Sequence, residues 1–398
     1  MGTVLVISLS DLGSDPRVDR QIDFLRSVHR VTAAGFGPSR YEDVRHVALE
    51  RRRDPVDTLS SVLATVMRLV GLHERSFWAH PDHRRWRRQL ASEDADLLIV
   101  NDATMLPLAF SVAEGRPVVF DAHEYAPVEF ERSWRWRLSA QRHVRWICRN
   151  YLPRTAGMMT VGRRIAARYA EDTGTPAAVV TNAPRYEELE PTPVGDPVRL
   201  VHFGWADPQR RLGDTIEAVT LLGEDYSLDL LLITPEALEE ETRKLRARAG
   251  AHPRVRFLDP VPMRELVHFA NGYDIGVHML PPATFNQRFA LPNKFFECIQ
   301  ARIVPAIGPS PEMAAVVREW DCGIVADDYT PEALAAAIAG TTRERLAELK
   351  RNAGRAAREL CAERNREIVV DVVNRALHSS GGLDSPLVPG PGGRTGAA

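Results

Sequence analysis

The chain has 398 residues, 44% hydrophobic and 26% charged, the balance of a folded protein with more than one core. Its 51 Lys and Arg almost cancel its 53 Asp and Glu, and a net charge of −2 gives no bulk attraction to nucleic acid. No apolar run approaches the ~18–20 residues of a membrane span, and the cysteines at 148, 298, 322 and 361 lack the spacing of a zinc site or a disulfide framework, so a cytoplasmic protein is expected.

The opening "MGTVLVISLSD" has no basic leader and reads as a buried first strand over 4–9, not a signal peptide. "DPRVDRQIDFLRSV" follows as a helix with Val18, Ile22 and Leu25 on one face, Ser14 or Asp15 as its cap, and Arg17 in its first turn. The turn is not G-x-G-x-x-G, and no P-loop occurs. "VTAAGF", "LLIV", "PVVFDAH" and "GMMTVG" are further strands with helices between them. His80 and His83 share an H-x2-H spacing that lacks the further ligands a metal site needs. The segment 133–154, "SWRWRLSAQRHVRWICRNYLPR", is basic and aromatic. It fits a core-facing helix or a weak peripheral contact with the inner membrane surface, and both readings stay open.

"YEELEPTPVGDPVRL" is rich in Pro and acids and marks a boundary near 186–197. A second strand series then begins: "RLVHFG", "LDLLLI", "VRFLDP", "IGVHML", "VPAIG" and "GIV". Strands that are apolar throughout, separated by helices, form parallel sheets covered on both faces. The fold class is therefore α/β, with two Rossmann-like doubly wound parallel-sheet domains facing a central cleft. The first domain spans 1–190 and the second 198–360; a helix over 361–378 packs back across them, and the Gly/Pro/Ser-rich residues 379–398 form a disordered tail.

Ligands of such sheets bind at the carboxyl ends of strands. After "RLVHFG", Gly204 permits close backbone approach, and Arg210 and Arg211 fall in the first turn of the next helix. Cations there oppose the helix dipole unless an anion lies between. After "IGVHML", Pro292-Asn293 starts a helix whose first turns carry Lys294 and Glu297. Lys294 is one of only three lysines; Lys244 and Lys350 read as members of solvated helices. Glu297 suits a ribose diol or an ordinary helix-start carboxylate. In the first domain Asp121, His123, Glu124 and Tyr125 cluster at a strand end, where a histidine can exchange protons near neutral pH.

"LPNKFFECIQARIVPAIGPSPEMAAVV" with "CGIVADDYTPEALAAAIA" resembles the donor segment of GT-B glycosyltransferases of the family 4 type. "DPRVDRQIDFL", "DAHEY", "TVGRRIAARYAEDTGTPAAVVTNAP" and "HFG" with "RRLGDTIEAV" match that family in the same order, across about residues 3–375. The resemblance implies transfer of a sugar from a nucleotide diphosphate donor to a sugar, lipid-linked or small-molecule hydroxyl, with retention, without a metal and without a cofactor. Polysaccharide and natural-product biosynthesis both fit. It places Gly204, Arg210, Arg211, Asn293, Lys294 and Glu297 at the donor, and Asp15, Arg17, Asp121, His123, Glu124 and Tyr125 on the acceptor side. His123, Lys294 and Arg211 are the implied catalytic groups. The family's Glu-x7-Glu motif has Phe289 in place of its first Glu, with Arg288 or Asn286 as substitutes, and Arg302 stands where Gly is usual. A nucleotide-sugar epimerase and a silent scaffold that binds nucleotide sugar are the alternatives.

Overall fold

The computed structural model describes residues 1–50, 55–250 and 252–379. Among the described residues two compact units result: residues 1–180 with 368–379, and residues 181–367. The expected tail over 379–398 lies outside the described residues, except Ser379, which ends the last helix, Ala362–Ser379.

The first unit holds seven strands: β1 (Thr3–Ile7), β2 (Arg30–Gly35), β3 (Arg45–Ala48), β4 (Leu97–Val100), β5 (Val118–Ala122), β6 (Gly157–Thr160) and β7 (Ala178–Val179). They form one sheet in the order β3-β2-β1-β4-β5-β6-β7, with every pair parallel. The chain winds outward one way from β1 to β3 and then the other way from β4. The loops after β1 and β4 therefore diverge at a switch point, the usual ligand position in open parallel sheets. The helix Pro16–Arg26 buries Val18, Ile22 and Leu25, and Asp15 caps it by accepting from the backbone N–H groups of Arg17 and Val18.

The second unit repeats the plan with β8 (Val198–Trp205), β9 (Tyr226–Ile233), β10 (Val255–Leu258), β11 (Ile275–His278), β12 (Val304–Ile307) and β13 (Ile324–Val325). Their order is β10-β9-β8-β11-β12-β13, all parallel, with the switch point between β8 and β11. The helix Asn293–Gln300 lies close against β11 because Gly276 has no side chain; a Cβ there would overlap the buried Cys298 Sγ. This packing fixes the helix that carries Lys294 and Glu297.

Residues 181–197 pack on the second unit. Tyr186 N–H donates to Glu363, Glu187 N–H to Gln300 and the Thr192 hydroxyl to the Asn271 carbonyl. Arg302, at a left-handed φ of 60°, is buried and donates to the carbonyls of Glu187 and Leu189. Lys350 corrects the sequence reading. It is fully buried, with Nζ 3.0 Å from Asp274, 3.0 Å from the Thr192 hydroxyl and 2.9 Å from the Tyr273 carbonyl. Its own helix looks solvated, but Asp274, 76 residues away, supplies the partner.

The basic segment after Ser133 divides into two helices. Gln141–Tyr151 buries Val144, Ile147, Cys148 and Tyr151, as a core helix does, whereas Trp134–Ser139 buries nothing. Among the described residues no helix is long and apolar enough to cross a membrane.

Candidate functional site

At the end of β8, Gly204 has φ +126°, and a Cβ there would collide with Lys294 Nζ. Glycine at this position thus gives room to the ammonium group of a different element. The chain then turns: Asp207 accepts from Gln209 N–H, and Pro208–Arg210 forms a 3-10 turn before the helix Leu212–Leu221. Arg210 and Arg211 stand ahead of that helix, not within its first turn. Arg211, with φ 48°, is exposed and pairs with Asp214 at 2.5 Å. Arg210 is half-buried, its Nε is sealed from solvent without a hydrogen-bond partner, and its guanidinium has no ion pair among the described residues.

Lys294 enters from the other side of the switch point. Pro292 precedes its helix with no side-chain cap, so the amides of Asn293 and Lys294 open the helix without one. The ammonium forms no hydrogen bond or ion pair among the described residues. Burial and then the charge of Arg210 push its pKa down to about 7, against the pull of the buried Glu297 carboxylate one turn on. Two cations thus repel each other at a strand-end switch point with no carboxylate in ion-pair contact with either among the described residues, while Glu297 and Asp207 act on them from beyond contact distance. An anion placed there would relieve the repulsion and accept the free amides.

Two further residues belong to this site, and sequence reasoning missed them. His202 on β8 and His278 on β11 are buried with rings stacked 6.3 Å apart. His202 Nδ1 lies 2.9 Å from the Val277 carbonyl, while His202 Nε2 and both nitrogens of His278 have no hydrogen-bond partner among the described residues. Burial and then the charge of Lys294 hold both rings neutral. Their only sequence signal is a single His inside each apolar run, "VHF" and "VHM".

The loop after β11 carries a helical turn, Phe285–Arg288, capped by Thr284, and Gln287 donates to Gln209, tying the loop to the Arg210 turn. Phe289 packs on Phe285 with ring centroids 4.8 Å apart, and Arg288 lies over its ring. Asn286 is buried. The Asp327–Asp328 pair lies in an exposed turn, where Asp328 accepts from Thr330. Among the described residues no three His, Cys, Asp or Glu side chains gather to hold a metal ion.

In the first unit the candidate residues form a chain of hydrogen bonds. Arg17 is buried and grips Asp121 through Nε at 3.1 Å and Nη2 at 2.5 Å, and gives Nη1 to the Val180 carbonyl at 2.8 Å. Gln21 donates to Asp121 at 2.8 Å, Asn101 donates to Gln21 at 3.0 Å, and His123 Nε2 meets the Asn101 carbonyl oxygen at 3.1 Å. Burial and then the nearby Arg17 charge lower the pKa of His123, so the ring is neutral, donates from Nε2 and keeps a lone pair on Nδ1. Asp15 is occupied as the helix cap. The Tyr125 hydroxyl donates to Asp172, and the Tyr125 ring meets Tyr169 edge to face. His123 and the exposed Glu124 line a cavity of about 190 Å³ with Asn101, Asp102, Glu129 and Trp136. Burial, Glu124 and Asp102 push Glu129 up to about 7.

No family model and no curated protein matches this chain. Solved structures do. HepE of Anabaena in complex with UDP-glucose superposes with a TM-score of 0.68 at 13% identity, over 94% of this chain and 100% of that one. Sucrose-phosphate synthase of Thermosynechococcus elongatus gives 0.69 at 12%, over 96% and 100%. A glycosyltransferase of Rickettsia africae gives 0.62 at 8%, over 93% and 98%. The chain has the GT-B fold. In that fold the donor-side candidates sit at the switch point of the second unit, and His123 follows β5 in the first.

Proposed function

We propose that this protein is a glycosyltransferase that moves a sugar from a nucleotide diphosphate donor to a hydroxyl acceptor. The observation that carries the reading is the unpaired Arg210–Lys294 couple beside Gly204, at the strand-end position where open parallel sheets bind ligands. Several solved GT-B structures of similar shape hold UDP or UDP-glucose, which supports a nucleotide-sugar donor. Charge on the diphosphate rises as the glycosidic bond breaks. Arg210, Lys294 and the amides at Asn293 and Lys294 stabilise that charge, and this makes the reaction metal-independent. Glu297 accepts from the donor ribose. On the acceptor side His123 holds its lone pair toward hydroxyl chemistry, with Asn101 fixing its tautomer. Retention of configuration rests on the resemblance of the ordered motifs.

A second reading is a scaffold that binds nucleotide sugar without turnover. It is favoured by Phe289, a packed aromatic where the resembled motif has an acid. One experiment tests both: the purified protein is titrated in EDTA with UDP, dTDP, GDP and ADP, and the matching nucleotide sugar is then followed for hydrolysis or transfer. One nucleotide is expected to raise the melting temperature, by mass action on the native state. Turnover in EDTA supports the enzyme; binding without turnover supports the scaffold; no binding overturns both.

A further inference from the structure

We propose that the first unit docks on an anionic lipid bilayer through the helix Pro55–Leu69 and the short helix Trp134–Ser139. The first helix presents Val62, Val66 and Leu69 at i, i+4 and i+7 on one face, with Leu63 beside them and Val70 in the turn that follows the helix. All five are exposed, Val66 by 50%. The second helix carries Trp134 and Leu138 one turn apart, Trp134 exposed by 60%, and the turn before it exposes Phe130. The two helices touch each other, so the apolar residues lie on neighbouring elements. Water-exposed apolar clusters of this extent mark interaction surfaces.

Charge decides the occupant. Residues 132–154 contain seven Arg and no Asp or Glu, in a chain whose net charge is −2. Arg135 lies over the Trp134 ring, the pairing of an aromatic body with a cationic head that suits the headgroup layer. Arg84, Arg87 and Arg88 on the helix Pro81–Leu90 line a separate open groove of the same unit with Trp78. A second copy of this chain would bring like-charged rims together, which opposes self-association through this face. Anionic headgroups complement the rim while the apolar residues enter the acyl boundary. The inference is independent of the sugar-transfer reading.

The full chain is tested by co-sedimentation with vesicles of equimolar phosphatidylglycerol and phosphatidylcholine, and with phosphatidylcholine alone. Binding to the first is expected to exceed the second by about tenfold or more and to weaken as salt rises. The double variant Val66→Glu/Trp134→Glu changes only exposed positions, so its melting temperature should match the parent, and its partitioning should fall by about tenfold. Three results would overturn the proposal: no sedimentation with anionic vesicles at low salt, equal sedimentation of the folded double variant, or a dimer by light scattering that the double variant dissolves.

Discussion

Arg17 and Arg210 hold comparable places, each just beyond the first strand of its own sheet, beside a switch point. Their surroundings differ. Arg17 has a carboxylate, a carbonyl and a hydrogen-bonded second layer, so the first unit arrives at its site with its charges balanced. Arg210 faces Lys294, with no ion pair for either among the described residues. A balanced strand end suits a neutral polar ligand such as a sugar hydroxyl. A strand end whose two cations have no ion pair suits an anion, which would bring the counter-charge.

The largest expected consequence is in stability. Asp121→Ala leaves Arg17 as a buried charge without its carboxylate and strips Gln21 of its acceptor. Unfolding free energy should fall by roughly 3–5 kcal/mol, the scale for breaking a buried pair from one side. Lys294→Met removes a repulsion instead, so the ligand-free protein should be no less stable than the parent. Denaturant melts of both variants decide this. A large loss with Lys294→Met would mean that its charge is compensated in the free protein.

Activity should invert that order. Lys294→Ala is expected to lower kcat by roughly 10²–10³-fold, the scale for losing one preorganised stabilising group, with a smaller change in donor KM. Arg211→Ala should change either constant by less than about threefold, since Arg211 is exposed and paired with Asp214, and surface pairs contribute little. Steady-state kinetics with a matched donor separate the cases. A rise in KM alone for Lys294→Ala would make it a ground-state binding residue.

These contrasts also show which features can be read from the chain. Eleven of the strands are apolar runs, and apolar runs flanked by helices leave few alternatives. β3 (RHVA) and β7 (AV) are too short and too mixed to stand out. Lys294 draws notice because lysine is rare here and it follows a strand. Lys350 is just as rare and was misread, because local pattern reports the charged helix Arg343–Glu359 and not Asp274. His202 and His278 went unread for the same reason: a histidine in an apolar strand gains its meaning from the cation across the switch point. The balance of Arg17 and the imbalance of Arg210 are likewise long-range facts, since the Asp121 partner lies 104 residues away.

A smaller effect is expected in the pH dependence of donor binding. Lys294 titrates near 7 in the free folded protein and near its ordinary value when unfolded. Between those values the unfolded chain holds the extra proton, so the ligand-free protein gains stability as pH rises above 7. A bound diphosphate favours the charged ammonium, so nucleotide affinity should fall above pH 7, by at most about tenfold per pH unit, with proton uptake on binding. Calorimetry in buffers of different ionisation enthalpy measures that uptake. An affinity flat from pH 7 to 9, or a slope that survives in Lys294→Met, would exclude Lys294 as the titrating group.

The smallest effect isolates the coupling between the two cations. Burial is the first cause of the lowered Lys294 pKa and Arg210 the second, so Arg210→Gln removes only the lesser cause. The midpoint of the Lys294 titration should rise, and the pH at which affinity begins to fall should rise with it. Affinity at pH 6 should drop if both charges face the phosphate as proposed, because one of the two is gone. Arg211→Gln is the control. Its charge is exposed and matched by Asp214, so it should move neither quantity. If Arg210→Gln lowered affinity without moving the midpoint, the two cations would act on the ligand separately. If Arg211→Gln moved the midpoint more than Arg210→Gln, the unpaired couple would be assigned to the wrong arginine.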